Sequence, residues 1–223
     1  DYPFHRGPWA TAADKPQLYE AWSGQMNLWI QQDIVEAIMM TNNVTNPRVS
    51  VLNAPVKRLL KIWVEPGYVG YPKSRVLVGD ASYQATTSGT AASATPPQAE
   101  MNPDQRIPDN FLISSTGRQS NPLYDVRMAT LSVLIDSRRI PELVNNITRV
   151  NFMTVTRIDV TDVDEYEELQ EGYLYGPGVD VVKLDLTIET IWLREWTQPL
   201  MPRDVRLALG IEQLPAAEGA ENN

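Results

Sequence analysis

The sequence predicts an α+β domain in which a four-stranded antiparallel sheet carries two helices on one face. Three observations support this class. Residues 17–42 have the spacing of an amphipathic helix, residues 56–64 alternate as a strand does, and Tyr124–Arg194 follows the order strand, helix, strand, strand. A helix followed by two strands therefore occurs twice, and 223 residues are enough for one sizeable domain.

The first helix is predicted to begin after Asp14, which can cap it, with Pro16 in its first turn. Its apolar residues recur at spacings of three and four: Leu18, Trp22, Met26, Trp29, Ile30, Ile34, Ala37, Ile38 and Thr41. Large side chains at this spacing usually belong to a core. A partner-binding surface that includes Trp22 and Trp29 is the alternative interpretation.

In the second half, a strand over Tyr124–Asp136 is followed by a short helix over Ser137–Val150. The strand Met153–Val163 is predicted to direct Ile158 and Val160 inward, and Val179–Arg194 alternates most regularly between apolar and polar residues. One apolar and one polar face are typical of an antiparallel sheet with helices on one side. The element order predicts a circularly permuted ferredoxin-like fold, α-β-β-α-β-β.

The predicted domain organisation is simple. Residues 1–13 form an extended lead-in, residues 14–210 form a single ferredoxin-like domain, and residues 211–223 form a flexible tail. A low-complexity insertion at about 66–122 interrupts the domain. Within it, residues 84–104 are rich in Ala, Thr, Ser and Pro, which predicts a mobile loop or an extended arm.

Composition excludes several classes of function. The net charge of −9 disfavours nucleic acid, whose phosphates need a basic surface, and simple adsorption to anionic lipid. The chain has no cysteine, and its one histidine is His5, so neither thiol catalysis nor a multi-histidine zinc site is available within it. No catalytic set, cofactor motif or metal-ligand set is predicted, and the protein is expected not to be an enzyme.

Two groups of carboxylates are candidate sites for a metal ion or for acid–base chemistry. The run Asp159, Asp162, Asp164, Glu165, Glu167 and Glu168 does not have the spacing of an EF-hand, and a solvated surface explains it more simply. Asp185 and Glu189, near Arg194, are interpreted as part of an exposed sheet face. The glycine-rich segment 172–178 is interpreted as a shaped turn with two packed tyrosines.

Edge strands and exposed apolar residues are the better candidates for function. An open four-stranded sheet has two edges, which invite strand addition from a twin chain or another protein. Ile191 and Leu193 on the outer side of the last strand, followed by Trp196, are predicted to mark such a contact. The interface candidates are therefore Trp22, Trp29, Ile191, Leu193 and Trp196.

A short helix over Ser137–Ile147 (SRRIPELVNNI) stands just before a strand that opens with Asn151–Val155 (NFMTV). With the order helix, strand, strand, helix, strand, strand, this resembles the periplasmic domain of PilO/GspM-type proteins of type IV pilus and type II secretion platforms. The resemblance covers about residues 17–194. It implies no catalytic residues, a membrane helix and a coiled coil upstream, a periplasmic location at the inner membrane, and a scaffold role with homo-oligomers and other envelope proteins as partners.

Two other hypotheses remain open at this stage. A periplasmic ligand-binding or sensory module on the same fold would need a pocket between sheet and helices, lined by Trp22, Trp29 and Tyr173. A hydrolase that uses the acidic run with a metal ion is the third hypothesis. A concentration-dependent mass separates the scaffold from the other two hypotheses.

Overall fold

A computed structural model describes residues 18–70 and 114–212, except residues 44, 47, 51 and 177. Two short 3-10 turns, Ser137–Arg139 and Gln198–Leu200, join some of the elements. The helices and strands are α1 Leu18–Asn42, β1 Val56–Val64, β2 Tyr124–Asp136, α2 Ile140–Val150, β3 Met153–Asp162, α3 Glu165–Gln170, β4 Val181–Leu193, α4 Arg194–Thr197 and α5 Arg203–Ala208. The predicted α+β class is confirmed.

The four strands form one antiparallel sheet in the order β1-β2-β4-β3. The long strands β2 and β4 pair along their whole length, from Tyr124 opposite Leu193 to Asp136 opposite Val181. β1 and β3 are the edges, and register shifts interrupt both edge pairings. The predicted four-stranded antiparallel sheet is therefore confirmed.

Helices α1 and α2 bury their apolar sides against the same face of the sheet, called the inner face below. The stripes of the two helices and the alternating residues of the central strands form one core, whose fully buried members include Ile30, Ile34, Leu131, Leu143, Ile147, Leu184, Leu186 and Ile188. Burying one such side chain contributes about 1.5–3 kcal/mol. Hydrophobic burial between the helices and the inner face therefore holds the domain together.

Polar contacts fix how the two helices meet. Asn146 Nδ2 donates to Thr41 Oγ1 at 3.0 Å, and the Thr41 hydroxyl donates to the Ala37 carbonyl at 2.8 Å. Just beyond α2, Asn151 Nδ2 donates to Asp33 Oδ2 at 2.8 Å. Because Asn146 and Thr41 are buried, sliding one helix along the other would break hydrogen bonds that water could not replace.

The Asp33 contact predicts a specific pH dependence of stability. Burial raises the pKa of Asp33 above 3.8, with Asn151 opposing the shift and Glu36 adding to it. A raised pKa means that the stability contributed by protonated Asp33 is present below pH 3.8 and is lost as the pH rises through the folded-state pKa. Asp33→Asn keeps an acceptor for Asn151. We expect this variant to be more stable than the wild type at pH 7.

The measurement is urea unfolding at several pH values. The stability gain of Asp33→Asn should shrink as the pH falls, because the wild-type carboxyl then becomes neutral as well. Glu195→Gln, at an exposed carboxylate outside α1, controls for the loss of one negative charge. A gain that is the same at low and neutral pH would contradict the assignment to Asp33 ionisation.

The outer face of the sheet is less exposed to solvent than the sequence predicts. Val69 covers Val126 and Met128 at one end of the face. At the other end, Tyr175 packs on Leu134. The physical reason is that two segments remote in sequence, residues 114–118 and 163–180, lie over this face and bury part of it, while residues 65–70 continue from β1 beside β2.

The two segments that border residues 71–113 meet beside Val126 of β2. The Val69 amide donates to the Val126 carbonyl at 2.9 Å, and the Ser120 amide donates to the Val69 carbonyl at 2.9 Å. Ser120 Oγ in turn accepts from the Val126 amide at 2.9 Å. The two segments therefore meet through Val69 and Ser120, close to Gly70.

Some predictions fall on residues that the structure does not describe. The lead-in over 1–13 and the arm over 84–104 lie outside the described residues. Of the predicted tail, Ile211 packs against the core and Glu212 pairs with Arg203 and Arg206. The predicted domain boundaries otherwise stay predictions.

β3 departs from its predicted burial. Ile158 and Val160 lie opposite the buried Leu186 and Leu184 of β4, as inward residues should. Both are nevertheless about half exposed, 48% and 53%. β3 is an edge strand, and the helices cover only its beginning, where Met153 is buried.

Candidate functional site

Trp22 and Trp29, two of the predicted interface residues, belong to an aromatic group inside the domain. Trp22 is buried and meets Trp29 edge to face, with ring centres 5.9 Å apart. Trp29 is half-buried and stacks on Trp192 of β4 at 5.9 Å. Trp22 Nε1 also donates to the Tyr68 hydroxyl at 2.9 Å. This arrangement fits the core-packing interpretation of the α1 stripe, not a partner surface.

A buried ion pair lies beside these aromatic rings. Asp125 Oδ1 accepts from Arg194 Nε at 3.0 Å and from Arg194 Nη2 at 2.8 Å. The two side chains are only 2% and 5% exposed, so the pair is almost fully removed from water. Arg194 therefore neutralises a core carboxylate. The prediction that it lies near Asp185 and Glu189 is wrong.

A second arginine is buried in the same region. Arg127 Nη2 donates to Asn27 Oδ1 at 2.9 Å and to the Glu65 carbonyl at 3.1 Å, and the guanidinium lies 5.0 Å from the ring centre of Tyr68. Burial lowers the pKa of Arg127 and raises the pKa of Tyr68. Arg127 Nε has no hydrogen-bond partner within the described residues. These groups serve the core and offer no opening to a substrate.

Glu189 corrects the prediction of an exposed carboxylate on β4. Its side chain is fully buried and accepts hydrogen bonds from the hydroxyls of Ser114 and Thr116, the latter at 2.6 Å. Arg118 Nη1 forms an ion pair with it at 2.8 Å. The segment that begins at Ser114 folds over this part of β4 and removes Glu189 from water. Glu189 is thus an anchor for that segment.

The end of the sheet where β4 finishes exposes an apolar surface, which we call the sheet-end patch: Leu123, Phe152, Trp196 and Leu200. The rings of Phe152 and Trp196 stack with centres 6.0 Å apart, and the two side chains are 55% and 52% exposed. The Phe152 and Leu123 carbonyls accept hydrogen bonds from the amides of Ile191 and Arg194, each at 3.0 Å. These bonds fix the patch to the end of β4.

The predicted interface residues Ile191 and Leu193 are half-buried near the sheet-end patch, and Trp196 belongs to it. The structure thus brings together three of the five predicted residues. Phe152, Leu123 and Leu200 were not identified from the sequence. The sequence offered one indication for Phe152, an aromatic residue directly before the strand that begins at Met153.

The connection between β3 and β4 crosses the outer face as far as β1. Tyr175 is buried and stacks on Tyr173 with ring centres 6.4 Å apart, which confirms the predicted turn with packed tyrosines. Burial and the hydrogen bond to Glu168 raise the pKa of Tyr175 to about 12. Arg58 lies 4.0 Å from the ring centre of Tyr173, so Tyr173 faces the outer side of β1 and cannot line one pocket with Trp22 and Trp29.

A shallow groove of about 400 Å³ lies at the opposite end of the sheet from the patch. It is bordered by the end of α1, the loop before β1 and the start of α2. Its charged side chains are Lys57, Asp136, Arg139 and Glu142, and Arg139 and Glu142 pair with each other. Burial lowers the pKa of Lys57, which donates to the Leu52 carbonyl at 2.9 Å.

Within the described residues, 18–70 and 114–212, no group of three or more acidic or histidine side chains is arranged to hold a metal ion. In the same part of the chain, no helix combines the length and the apolar character needed to cross a membrane.

Comparison with known proteins found no relative: no family model, no curated protein and no solved structure matches this chain.

Proposed function

We propose that the protein is a non-enzymatic structural protein that acts through protein–protein contacts, and that the sheet-end patch is its main contact surface. The observation that carries this proposal is the stacked pair Phe152 and Trp196, more than half exposed at the end of the sheet. Exposed aromatic residues are typical anchors of interfaces because they bury a large area with little loss of side-chain freedom.

The fate of the buried charged groups supports a structural role. Asp125 is paired with Arg194, and Glu189 with Arg118 and two hydroxyls, so both carboxylates serve internal contacts. A general acid or base must instead reach a cleft and the proton it transfers. The apolar patch, unlike these carboxylates, is exposed to solvent and can contact a partner.

We further propose a circularly permuted ferredoxin-like fold of the PilO/GspM type. Moving the first strand of a ferredoxin-like domain to its C-terminal end leaves its two middle strands adjacent and its other strands at the edges. The observed order β1-β2-β4-β3, with β2 and β4 in the middle, fits this description. The proposed context is a bacterial pilus or secretion platform, with the domain in the periplasm and anchored by an upstream membrane segment.

The experiment compares association of the wild type and of Phe152→Ser/Trp196→Ser. We expect the double variant to weaken the self-association of the full-length protein, or its co-purification with envelope proteins, at least tenfold. The reason is that the interface would lose both of its aromatic anchors. Analytical ultracentrifugation over a concentration series, with pull-down from native membranes, gives the readout.

Met39→Ser provides the control, because Met39 is about half exposed near the end of α1 that borders the groove, at the opposite end of the sheet from the patch. It should leave association unchanged. A wild-type protein that stays monomeric and isolates without partners would overturn the proposal, as would full association of the double variant. Urea unfolding of each variant checks that the fold is retained.

A ligand-binding or sensory module is the second candidate, favoured by the groove beside Lys57 and Arg139. Its volume of about 400 Å³ is within the range of small-molecule sites. Thermal-shift measurements with a library of small anions and metabolites test this candidate. A ligand that stabilises the wild type, but not Lys57→Met, would support it.

A further inference from the structure

The short helix α3 is capped at both ends. Asp164 accepts hydrogen bonds from the amides of Tyr166 at 2.9 Å and Glu167 at 3.3 Å, as an N-cap residue does. At the other end, the Gly172 amide donates to the Leu169 carbonyl and the Tyr173 amide to the Glu168 carbonyl, with Gly172 at φ 92°. This is a Schellman motif, in which glycine ends the helix.

The same helix is attached firmly to the outer side of the sheet. Glu168 accepts a hydrogen bond from the Tyr175 hydroxyl and forms an ion pair with Arg58 at 3.3 Å. Val163 and Val179, at the two ends of the connection, pack with Leu134. A six-residue helix rarely forms alone, so these caps and contacts hold it in place.

The helix exposes two apolar side chains to solvent. Tyr166 and Leu169, three residues apart and so on neighbouring positions of the helix surface, are 69% and 52% exposed. Leu174, just after the Schellman motif, is 63% exposed. We call these three side chains, with the exposed carboxylates of Glu167 and Glu171 beside them, the α3 surface.

The segment that carries this surface has charged side chains of one sign, although Arg58 of β1 pairs with its Glu168. Residues 163–180 contain no lysine or arginine, and six of their residues are acidic in a chain of net charge −9: Asp164, Glu165, Glu167, Glu168, Glu171 and Asp180. A second copy of the chain would bring the same acidic segment against itself. Repulsion between like charges therefore argues against self-association here.

We propose that the α3 surface binds a basic amphipathic segment of a different protein, one that carries apolar side chains flanked by lysine or arginine. The apolar residues of the partner would cover Tyr166, Leu169 and Leu174, and its cations would lie beside Glu167 and Glu171. Because α3 is already held in place, little ordering of this side is needed on binding, which favours affinity. The surface is at the opposite end of the sheet from the sheet-end patch, so the proposal does not depend on that patch.

The probe for the test is a synthetic amphipathic helical peptide built from leucine and lysine, titrated onto the full chain by calorimetry. A second peptide, with serine in place of every leucine, has the same charge and no apolar side. We expect the first peptide to bind at least tenfold more tightly than the second. We also expect its affinity to fall between low and high salt, since opposite charges contribute.

Two variants locate the binding. Tyr166→Ser/Leu169→Ser removes apolar contact, and Glu167→Gln/Glu171→Gln removes charge; each should weaken the leucine–lysine peptide at least tenfold. Phe152→Ser/Trp196→Ser is the matched control and should bind like the wild type. Urea unfolding shows whether each variant is folded.

Three results would overturn the proposal. Equal binding of the two peptides would show that charge attraction alone drives binding. Unchanged binding to both α3 variants would show that the peptide binds elsewhere on the protein. Self-association of the wild type that is lost in Tyr166→Ser/Leu169→Ser would assign the surface to a second copy. None of these results bears on the sheet-end patch, whose variants are tested separately.

Discussion

Replacing Asp125 by alanine is expected to lower the free energy of unfolding by about 3–5 kcal/mol. Arg194 would lose the carboxylate that accepts two of its hydrogen bonds, while it remains almost completely buried. Arg127, also buried, would lose the nearby negative charge. An uncompensated buried cation is among the costliest single defects a core can have.

Urea unfolding at neutral pH measures this loss. Asp159→Ala is the control, because it breaks an ion pair with Arg157 whose two side chains are more than half exposed. Such surface pairs contribute about 0–1 kcal/mol. The double variant Asp125→Ala/Arg194→Met should recover part of the stability, since it removes the unpaired charge. A loss below about 1 kcal/mol in the single variant would show that the buried pair does not stabilise the fold.

The second large effect is expected for Gly176→Ala, which should lower the free energy of unfolding by about 2–4 kcal/mol. Gly176 has φ 97°, a conformation that disfavours any side chain. A Cβ atom there would also lie 2.7 Å from the Leu52 carbonyl oxygen, and this neighbour is backbone, which cannot rotate away. The alanine would therefore push the β3–β4 connection off the loop that precedes β1.

Gly172→Ala separates the two causes. Gly172 has nearly the same φ, 92°, but a Cβ there would meet no described atom within 4 Å. This variant should lower the free energy of unfolding by about 1–2 kcal/mol, the cost of a positive φ for a residue with a side chain. Thermal unfolding of both variants gives the difference due to the Leu52 contact. Equal losses would show that this contact is unimportant.

The sequence predicts the scaffold of this fold well. Leu184, Leu186 and Ile188 alternate with polar residues on β4, and a period of two is a direct consequence of strand geometry. Ile30 and Ile34 on α1 reflect the helical period in the same way. Because these patterns are local, strand and helix bounds were predicted within a few residues.

The candidate sites were harder to predict, because they depend on contacts between remote segments. Glu189 has the polar alternation of a solvent-facing residue, and only Ser114, Thr116 and Arg118, about seventy residues earlier, make it a buried one. Asp125 offered a better signal, since it occupies the same strand face as Ala129 and Leu131. A charged residue in register with a core stripe indicates a buried pair.

The paired backbone bonds at Val69 and Ser120 have an evolutionary consequence. They hold the two borders of residues 71–113 together, so the sheet does not depend on how far the intervening chain extends. In general, doubling the length of a flexible connection costs only about 0.6 kcal/mol in closure entropy once its ends are held. We therefore expect insertions and deletions between Gly70 and Ser114 to leave the pairing of the four strands unchanged. Residues 71–113 can therefore differ between related proteins while the sheet stays the same.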